Sequence, residues 1–290
     1  MSDYVILTDS SCDLPLALVE ELDLHVVPLT VNFKGQQFRD LPGGVELDPK
    51  SFYADVRGGE MPTTSAIGVG QWTDAIEPYL RAGLNVLVLG FSSGLSTTYQ
   101  SAAIAAGDLA PRYPDRKIFA VDTLCASLGQ GLLVWHAAKR RAAGESIEAV
   151  RDWVEANKLH LAHWFTVDDL NHLKRGGRVS AATALVGTLL GIKPVLHVDN
   201  EGHLISMSKT RGRKASLDAL VAHMAATAIE PEKQTIFISH GDCLEDAEYV
   251  AGKVRNELHV QNVVINYVGP VIGAHSGPGT VALFFLATER

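Results

Sequence analysis

The sequence predicts an α/β protein with two domains, the first built on a parallel sheet and the second on a mixed sheet. Along residues 1–160, short apolar runs alternate with helical segments, which is typical of parallel strands joined by right-handed crossovers. Along residues 161–290, hairpin signals join this pattern and indicate antiparallel strands as well. The predicted domains are therefore 1–160 and 161–290, although no segment rich in Pro, Gly or Ser marks the boundary.

The composition is that of an ordinary globular protein, with 47% hydrophobic and 20% charged residues among 290. A net charge of −8 argues against general nucleic acid binding. The scattered Cys12, Cys125 and Cys243 predict reduced thiols in the cytoplasm and no zinc site. Acidic residues near the N terminus argue against a signal peptide, and no apolar run reaches the roughly 18 residues of a membrane span. We therefore expect no stable membrane insertion.

In the first domain, continuous apolar runs predict strands that are buried on both faces of the sheet. Pro15 fits the first turn of a helix, where the backbone N–H groups have no helical partner. Gly129 and Gly131 indicate that the helix containing them lies close to another backbone. A hairpin or extended segment is expected over 33–45. The predicted strands are 4–7, 25–31, 86–89 and 117–121, and the predicted helices are 15–22, 49–57, 70–82, a segment after Tyr99, and 125–141.

In the second domain, Gly202 lies between two apolar runs and predicts the turn of a β-hairpin. Asp168 and Asp169 indicate the start of a short helix that ends in a basic Gly-Gly turn. Residues 273–279 are predicted to form a glycine-rich loop. The predicted strands are 164–167, 192–199, 203–207, 235–239, 263–268 and 281–286, and the predicted helices are 181–190, 216–228 and 245–258; a helix over 146–160 closes the first domain.

Two clusters of hydroxyl side chains follow strands or precede helices in the first domain. Ser92, Ser93 and Ser96 lie between an apolar strand and a helix, where free backbone N–H groups and the helix dipole favour an anion. Thr64 and Ser65 form the second cluster, and a role as helix cap or turn residues is equally compatible with the sequence. Such loops gather at the carboxyl ends of parallel strands, where α/β folds bind ligands.

The segment 90–94 (GFSSG) matches the G-x-S-x-G pattern of the α/β-hydrolase nucleophile elbow. Asp122 and His275 follow in hydrolase order, so a Ser92–Asp122–His275 triad is one hypothesis. The alternative is a Ser/Gly turn that caps the following helix. His275 lies between glycines, which favours a polar role and a pKa near neutrality. Asp9, Asp13 and Asp122 show no metal-ligand spacing, and caps or turns explain them better.

Two basic clusters stand out in an acidic chain. Lys174, Arg175 and Arg178 surround a Gly-Gly turn at a helix end, and Arg211 belongs to a second cluster over 209–214. One interpretation is that these cations complement the carbonyl end of a helix. The other is that they bind a phosphate or an acidic partner, which arginine can do with two hydrogen bonds at once.

These motifs, in this order, resemble the DegV family, the fatty-acid-binding subunits of bacterial fatty acid kinase. The resemblance covers nearly the whole chain. The sequence departs from the family pattern in two places. At Ala66-Ile67-Gly68 the loop is less polar, and at position 97 a threonine replaces a glycine and would be strained at positive φ. The matching segments are 8–10 (TDS), 13–15 (DLP), 27–29 (VPL), 64–65 (TS), 92–101 (SSGLSTTYQS), 173–178 (LKRGGR), 192–194 (IKP), 209–212 (KTRG) and 272–279 (IGAHSGPG).

The resemblance implies a two-domain protein that is not itself an enzyme and needs no cofactor. It would hold a long-chain fatty acid between or within its domains, and a partner kinase would phosphorylate the carboxylate to an acyl-phosphate. A more distant interpretation is a phosphosugar- or dihydroxyacetone-binding module, because a related kinase family shares this kind of domain. The residues implied at the carboxylate are Thr64, Ser96 and His275, with Ser65, Ser92 and Ser93 beside them, and those implied at the kinase are Lys174, Arg175, Arg178 and Arg211.

Overall fold

The computed structural model describes residues 3–179 and 191–290 and contains two main sheets and a small third one. The predicted helix at 181–190 lies outside the described residues. The strands are β1 (Tyr4–Asp9), β2 (His25–Val27), β3 (Thr30–Phe33), β4 (Gln36–Arg39), β5 (Thr63–Ser65), β6 (Asn85–Gly90), β7 (Ile118–Asp122), β8 (Leu161–Thr166), β9 (Ile192–Val198), β10 (Leu204–Arg211), β11 (Thr235–His240), β12 (Asn262–Tyr267) and β13 (Val281–Leu286).

The described helices cover most of the segments that the sequence predicts as helical. They are α1 (Leu16–Glu21), α2 (Pro49–Arg57), α3 (Val69–Arg81), α4 (Thr98–Leu109), α5 (Ser127–Ala142), α6 (Ile147–Asn157), α7 (Asn171–Arg175), α8 (Arg213–Thr227), α9 (Leu244–Leu258) and α10 (Pro270–Ser276). None of those in residues 3–179 and 191–290 is long and apolar enough to cross a membrane.

The first main sheet is parallel, with the order β2-β1-β6-β7. Alternate residues of β6 enter two different cores, since Val86 and Val88 pack on one side and Leu87 and Leu89 on the other. This arrangement explains the unbroken apolar run, because a strand covered on both faces has no solvent-facing side.

The second main sheet is mixed, with the order β10-β9-β8-β13-β11-β12. Only β11 and β12 run parallel among its described pairs, and β9 and β10 form the predicted hairpin around Gly202. The predicted α/β class, with one parallel and one mixed sheet, is confirmed. The division into domains 1–160 and 161–290 stays a prediction, and α5 from the first part packs against β8, β11 and β13 of the second.

Two predicted elements are wrong in detail. The predicted strand 25–31 is two strands in different sheets, since β2 pairs with β1 whereas β3 pairs with β4 and β5. Pro28 separates them, because it has no backbone N–H to donate a hydrogen bond to a neighbouring strand. The predicted loop 273–279 begins inside α10. Helix α10 packs against β3, β5 and α2, so tertiary contacts stabilise a helix that its glycines disfavour.

Candidate functional site

A cavity of about 360 Å³ lies where α10, β13 and the loop after β6 meet. Its walls are mostly apolar and include Leu95, Phe165, Leu204, Ile272 and Phe284. This volume is within the usual range for small-molecule sites, roughly 300–1,000 Å³, which combine apolar walls with a few polar groups.

Strand β13 supplies one wall of the cavity, because its side chains point alternately to the two faces of the sheet. Thr280, just before the strand, and Ala282 and Phe284 within it line the cavity, whereas Val281 and Leu283 pack into the core on the opposite face. Ala282 is flanked in the sheet by Phe165 of β8 and Ser239 of β11, which also line the cavity. The small side chain of Ala282 therefore leaves room in the middle of a continuous wall.

Thr64 and His275 form a hydrogen-bonded pair on the cavity wall. Thr64 lies on β5 and His275 near the end of α10, and the Thr64 Oγ1 to His275 Nε2 distance is 2.7 Å. Burial, with a smaller contribution from the Arg178 charge, lowers the pKa of His275 to about 4. The sequence expectation of a pKa near neutrality is therefore wrong, and His275 is neutral at physiological pH.

Arg178 also lines the cavity, and it is half-buried. Its Nε donates to the Leu95 carbonyl at 3.3 Å, and its Nη1 donates to the Gly176 carbonyl. Burial lowers the pKa of the guanidinium. The structure therefore places Arg178 on the cavity wall with its charge near His275, and its predicted kinase contact stays a prediction.

Ser93 and Ser96 line the cavity at the entrance to α4. The Ser96 hydroxyl lies 2.9 Å from Thr98 Oγ1 and accepts from Thr98 N–H at 3.2 Å, and Ser93 N–H donates to Asp122 Oδ1 at 3.2 Å. Thr97 has φ of −80°, so the expected strain at this position is absent.

Ser65 and Ser92 lie elsewhere. Ser65 is exposed, and its hydroxyl accepts from Asn32 Nδ2 at 3.3 Å. Ser92 is fully buried and donates to the Gly202 carbonyl at 2.9 Å, which ties the loop after β6 to the β9–β10 hairpin. Neither residue lines the cavity as the sequence interpretation expects.

No hydrolase triad is assembled among the described residues. Asp122 accepts from the backbone N–H groups of Ser93 and Leu124. His275 is paired with Thr64 and Ser92 with Gly202, so no hydrogen bond connects the three triad candidates. The serine hydrolase hypothesis is therefore unsupported.

Sequence reasoning missed a second polar group on the cavity wall, made of Ser127, Ser239 and His163. The Ser127 and Ser239 hydroxyls are 3.0 Å apart, and Ser127 also donates to Asp13 Oδ2. The one signal was the glycine pair in α5. A Cβ on Gly131 would lie 2.6 Å from the Cys12 carbonyl oxygen, which confirms the expected close approach to another backbone. At Gly129 the neighbours are side chains instead, since a Cβ there would lie 2.7 Å from the Phe284 ring and closer still to His163 Nε2.

The remaining predicted kinase contacts are exposed. Lys174 and Arg175 lie on α7, and Arg211 ends β10. Helix α7 packs against α10, which carries His275. Among residues 3–179 and 191–290, no group of three or more His, Cys, Asp or Glu side chains forms a metal site.

A family model described as "Uncharacterised protein, DegV family" matches residues 3–288. The chain belongs to the DegV family. A DegV domain-containing protein from Clostridium perfringens is 46% identical over 290 residues, which cover all of this chain and 99% of the relative. The relationship therefore extends over both sheets and the cavity between them.

Solved DegV structures share the fold. A DegV family protein from Thermus thermophilus, described by its fatty acid binding, superposes with a TM-score of 0.87 at 32% identity, covering 99% of this chain and all of that one. A DegV lipid-binding protein from Thermotoga maritima gives 0.86 at 31% identity over all of both chains. These two family members bind lipid, and the first binds fatty acid.

Proposed function

We propose that this DegV protein holds one long-chain fatty acid in the 360 Å³ cavity and presents its carboxylate to a partner kinase. The observation that carries the proposal is the cavity itself, where apolar walls meet Thr64, Ser96, His275 and Arg178. A phosphosugar or dihydroxyacetone would leave the apolar wall without a partner, whereas an acyl chain fills it.

The acyl chain would supply most of the affinity. At about 0.8 kcal/mol per buried methylene, a chain of roughly sixteen carbons contributes on the order of 10 kcal/mol before ordering costs are subtracted. The polar groups then serve to orient the carboxylate. This division of roles suits a carrier, because the acyl chain holds the ligand while the carboxylate stays available for the reaction.

The Thr64–His275 pair is arranged to donate a hydrogen bond to a carboxylate. His275 is neutral and its Nδ1 has no hydrogen-bond partner, so we assign its proton to Nε2. The imidazole then donates to Thr64 Oγ1, and the threonine hydroxyl proton is free to point at the ligand. Ser96 and the Arg178 guanidinium would complete the carboxylate site.

Replacing Thr64 with valine tests this arrangement. We expect fatty-acid affinity to fall by about tenfold to a hundredfold, because a hydrogen bond to a charged acceptor is worth roughly 1.5–3 kcal/mol. The measurement is displacement of a fluorescent fatty acid. The neighbouring Ser65→Ala is the matched control, since Ser65 is exposed and off the cavity. Equal affinities in the two variants would contradict the assignment of Thr64.

In this proposal the partner kinase supplies the phosphoryl group and catalyses its transfer, while this chain holds and orients the carboxylate. The exposed Lys174 and Arg175 of α7 offer positive charge next to the helix that carries His275, and Arg211 is a further exposed cation at the end of β10. Such charges favour encounter with an acidic surface on the kinase. We assign Arg178 to the carboxylate site and not to this contact.

Reversing the charge in Lys174→Glu together with Arg175→Glu is expected to slow phosphorylation of the bound fatty acid by about tenfold or more at low salt, without loss of the lipid. Acyl-phosphate formation with the partner kinase and the lipid content of the protein are measured in parallel. Lys139→Glu with Lys233→Glu, two exposed lysines outside α7, is the control. An unchanged rate in the α7 variant would remove α7 from the kinase contact.

A further inference from the structure

The wall of the main cavity includes a serine whose hydroxyl is buried and unpaired within the described part of the chain. Ser276 is the last residue of α10 and is 5% exposed, and its Oγ has no hydrogen-bond partner among residues 3–179 and 191–290. A serine in a helix usually donates to a carbonyl of the preceding turn or points to solvent, and Ser276 does neither. An acyl chain made only of methylenes would leave this hydroxyl unpaired, which weakens binding.

A second serine, Ser239 of β11, keeps a free acceptor on the same wall. Ser239 is fully buried, and its Oγ lies 3.0 Å from Ser127 Oγ. Ser127 donates its own proton to Asp13 Oδ2, so we assign the donor role in the serine pair to Ser239. Ser239 Oγ then retains a lone pair but has no proton left for another partner. The wall therefore offers an acceptor at Ser239 and both a donor and an acceptor at Ser276.

The sheet register and one contact of Thr280 bring the two hydroxyls to the same part of the wall. Ser239 pairs with Ala282 in the sheet, so their side chains lie on the same face. Thr280 precedes Ala282 by two residues, about 7 Å along an extended chain, and also lines the cavity. Its Oγ1 donates to the Ser276 carbonyl at 3.1 Å. A ligand that runs along β13 therefore passes both serines.

The neighbouring polar side chains on this part of the wall already have partners. The Thr280 hydroxyl proton is used on backbone carbonyls. His163 Nε2 accepts from Ala126 N–H at 3.3 Å, and its Nδ1 donates to the Leu161 carbonyl at 2.9 Å. Burial holds the pKa of His163 well below its usual range, so the ring carries no second proton. The groups that remain for a ligand here are the two serine hydroxyls.

We propose that the preferred ligand is a hydroxy fatty acid, with its hydroxyl group on the acyl chain, a proposal that depends on the lipid-carrier function stated above. A ligand hydroxyl is both donor and acceptor, so it can donate to Ser239 Oγ and accept from the Ser276 hydroxyl. Sites that hydrogen-bond a ligand hydroxyl discriminate against analogues without it, because their own polar groups are then left unpaired.

Other acyl chains fit this wall less well. A saturated chain makes no hydrogen bond and leaves the Ser276 hydroxyl unpaired, and a carbon–carbon double bond does the same. A ketone can accept from Ser276 but cannot donate to Ser239, so it pairs with one of the two serines. Of these substituents, a hydroxyl group is the one that pairs with both.

The test is displacement of a fluorescent fatty acid from the intact, delipidated protein by stearate and by its 3-, 10- and 12-hydroxy derivatives. The oxostearate with its ketone at the preferred position is the comparison ligand. We expect at least one hydroxystearate to bind about fivefold to tenfold more tightly than stearate, and the matching oxostearate to bind less tightly than that hydroxystearate.

Replacing Ser276 with alanine removes a hydroxyl that makes no hydrogen bond among the described residues, so the variant should fold. We expect the hydroxystearate-to-stearate affinity ratio to fall to about one in Ser276→Ala and in Ser239→Ala. Ser208→Ala, at an exposed position of β10 that does not line the cavity, is the matched control and should keep the wild-type ratio. If Ser239→Ala does not fold, Ser276→Ala decides alone.

Binding of stearate without tighter binding of any hydroxystearate would overturn the hydroxyl preference and leave the lipid-carrier function intact. So would an oxostearate that binds as tightly as the hydroxystearate, or a Ser276→Ala protein that keeps the wild-type ratio. Failure of every fatty acid to bind would instead contradict the lipid-carrier function, and the hydroxyl preference with it.

Discussion

Placing a phenylalanine at position 282 is expected to weaken fatty-acid binding strongly. Ala282 lies in the middle of the β13 wall, and its side chain faces the cavity between Thr280 and Phe284. A ring there would exclude about four methylenes of the acyl chain, and at about 0.8 kcal/mol each the loss is roughly 3 kcal/mol. Affinity should therefore fall more than a hundredfold.

The measurement for Ala282→Phe is displacement of a fluorescent fatty acid, with circular dichroism as a check on folding. Ala142→Phe adds the same ring at an exposed position of α5 and is the matched control. A folded Ala282→Phe protein that binds fatty acid with wild-type affinity would show that the acyl chain lies outside this cavity.

Replacing Gly129 with alanine is expected to lower the free energy of unfolding by about 2–3 kcal/mol, the cost of overpacking a filled interior. The added Cβ would overlap the His163 imidazole and approach the Phe284 ring to 2.7 Å. It would also disturb the hydrogen bond that Ala126 N–H donates to His163 Nε2 at 3.3 Å. Tm should fall by roughly 4–8 °C in a thermal melt.

Gly107→Ala is the matched control for Gly129→Ala, because both glycines lie inside helices. Gly107 is exposed on α4, and a Cβ there would meet no atom within 4 Å. Alanine should therefore stabilise α4 by about 0.5–1 kcal/mol. If both variants shifted Tm in the same direction, the overpacking of α5 against β8 and β13 would not be the cause of the change in Gly129→Ala.

The fold was predictable where local sequence and tertiary packing agree. The apolar runs of β1 and β6 predicted buried strands, because both faces of each strand enter a core. Prediction failed where packing overrides local preference. Helix α10 contains Gly273, whose missing Cβ leaves room for the Tyr53 ring, and this long-range contact has no local signal.

The candidate site was predictable in part. Thr64, Ser96 and His275 were indicated by hydroxyl clusters and motif resemblance, and the structure brings all three to one cavity, although their ligand role stays a proposal. Ser92 matched a catalytic pattern, but its hydroxyl pairs with a carbonyl 110 residues away. Arg178 was assigned to the surface, because sequence does not show that the chain after α7 turns toward the cavity.

The most direct test of the lipid-carrier account is denaturing mass spectrometry of the organic extract of protein purified from a bacterial host. We predict one long-chain fatty acid per wild-type chain and little or none in Ala282→Phe. Wild-type protein that contains no fatty acid, and that gains none when fatty acid is added after delipidation, would contradict the account.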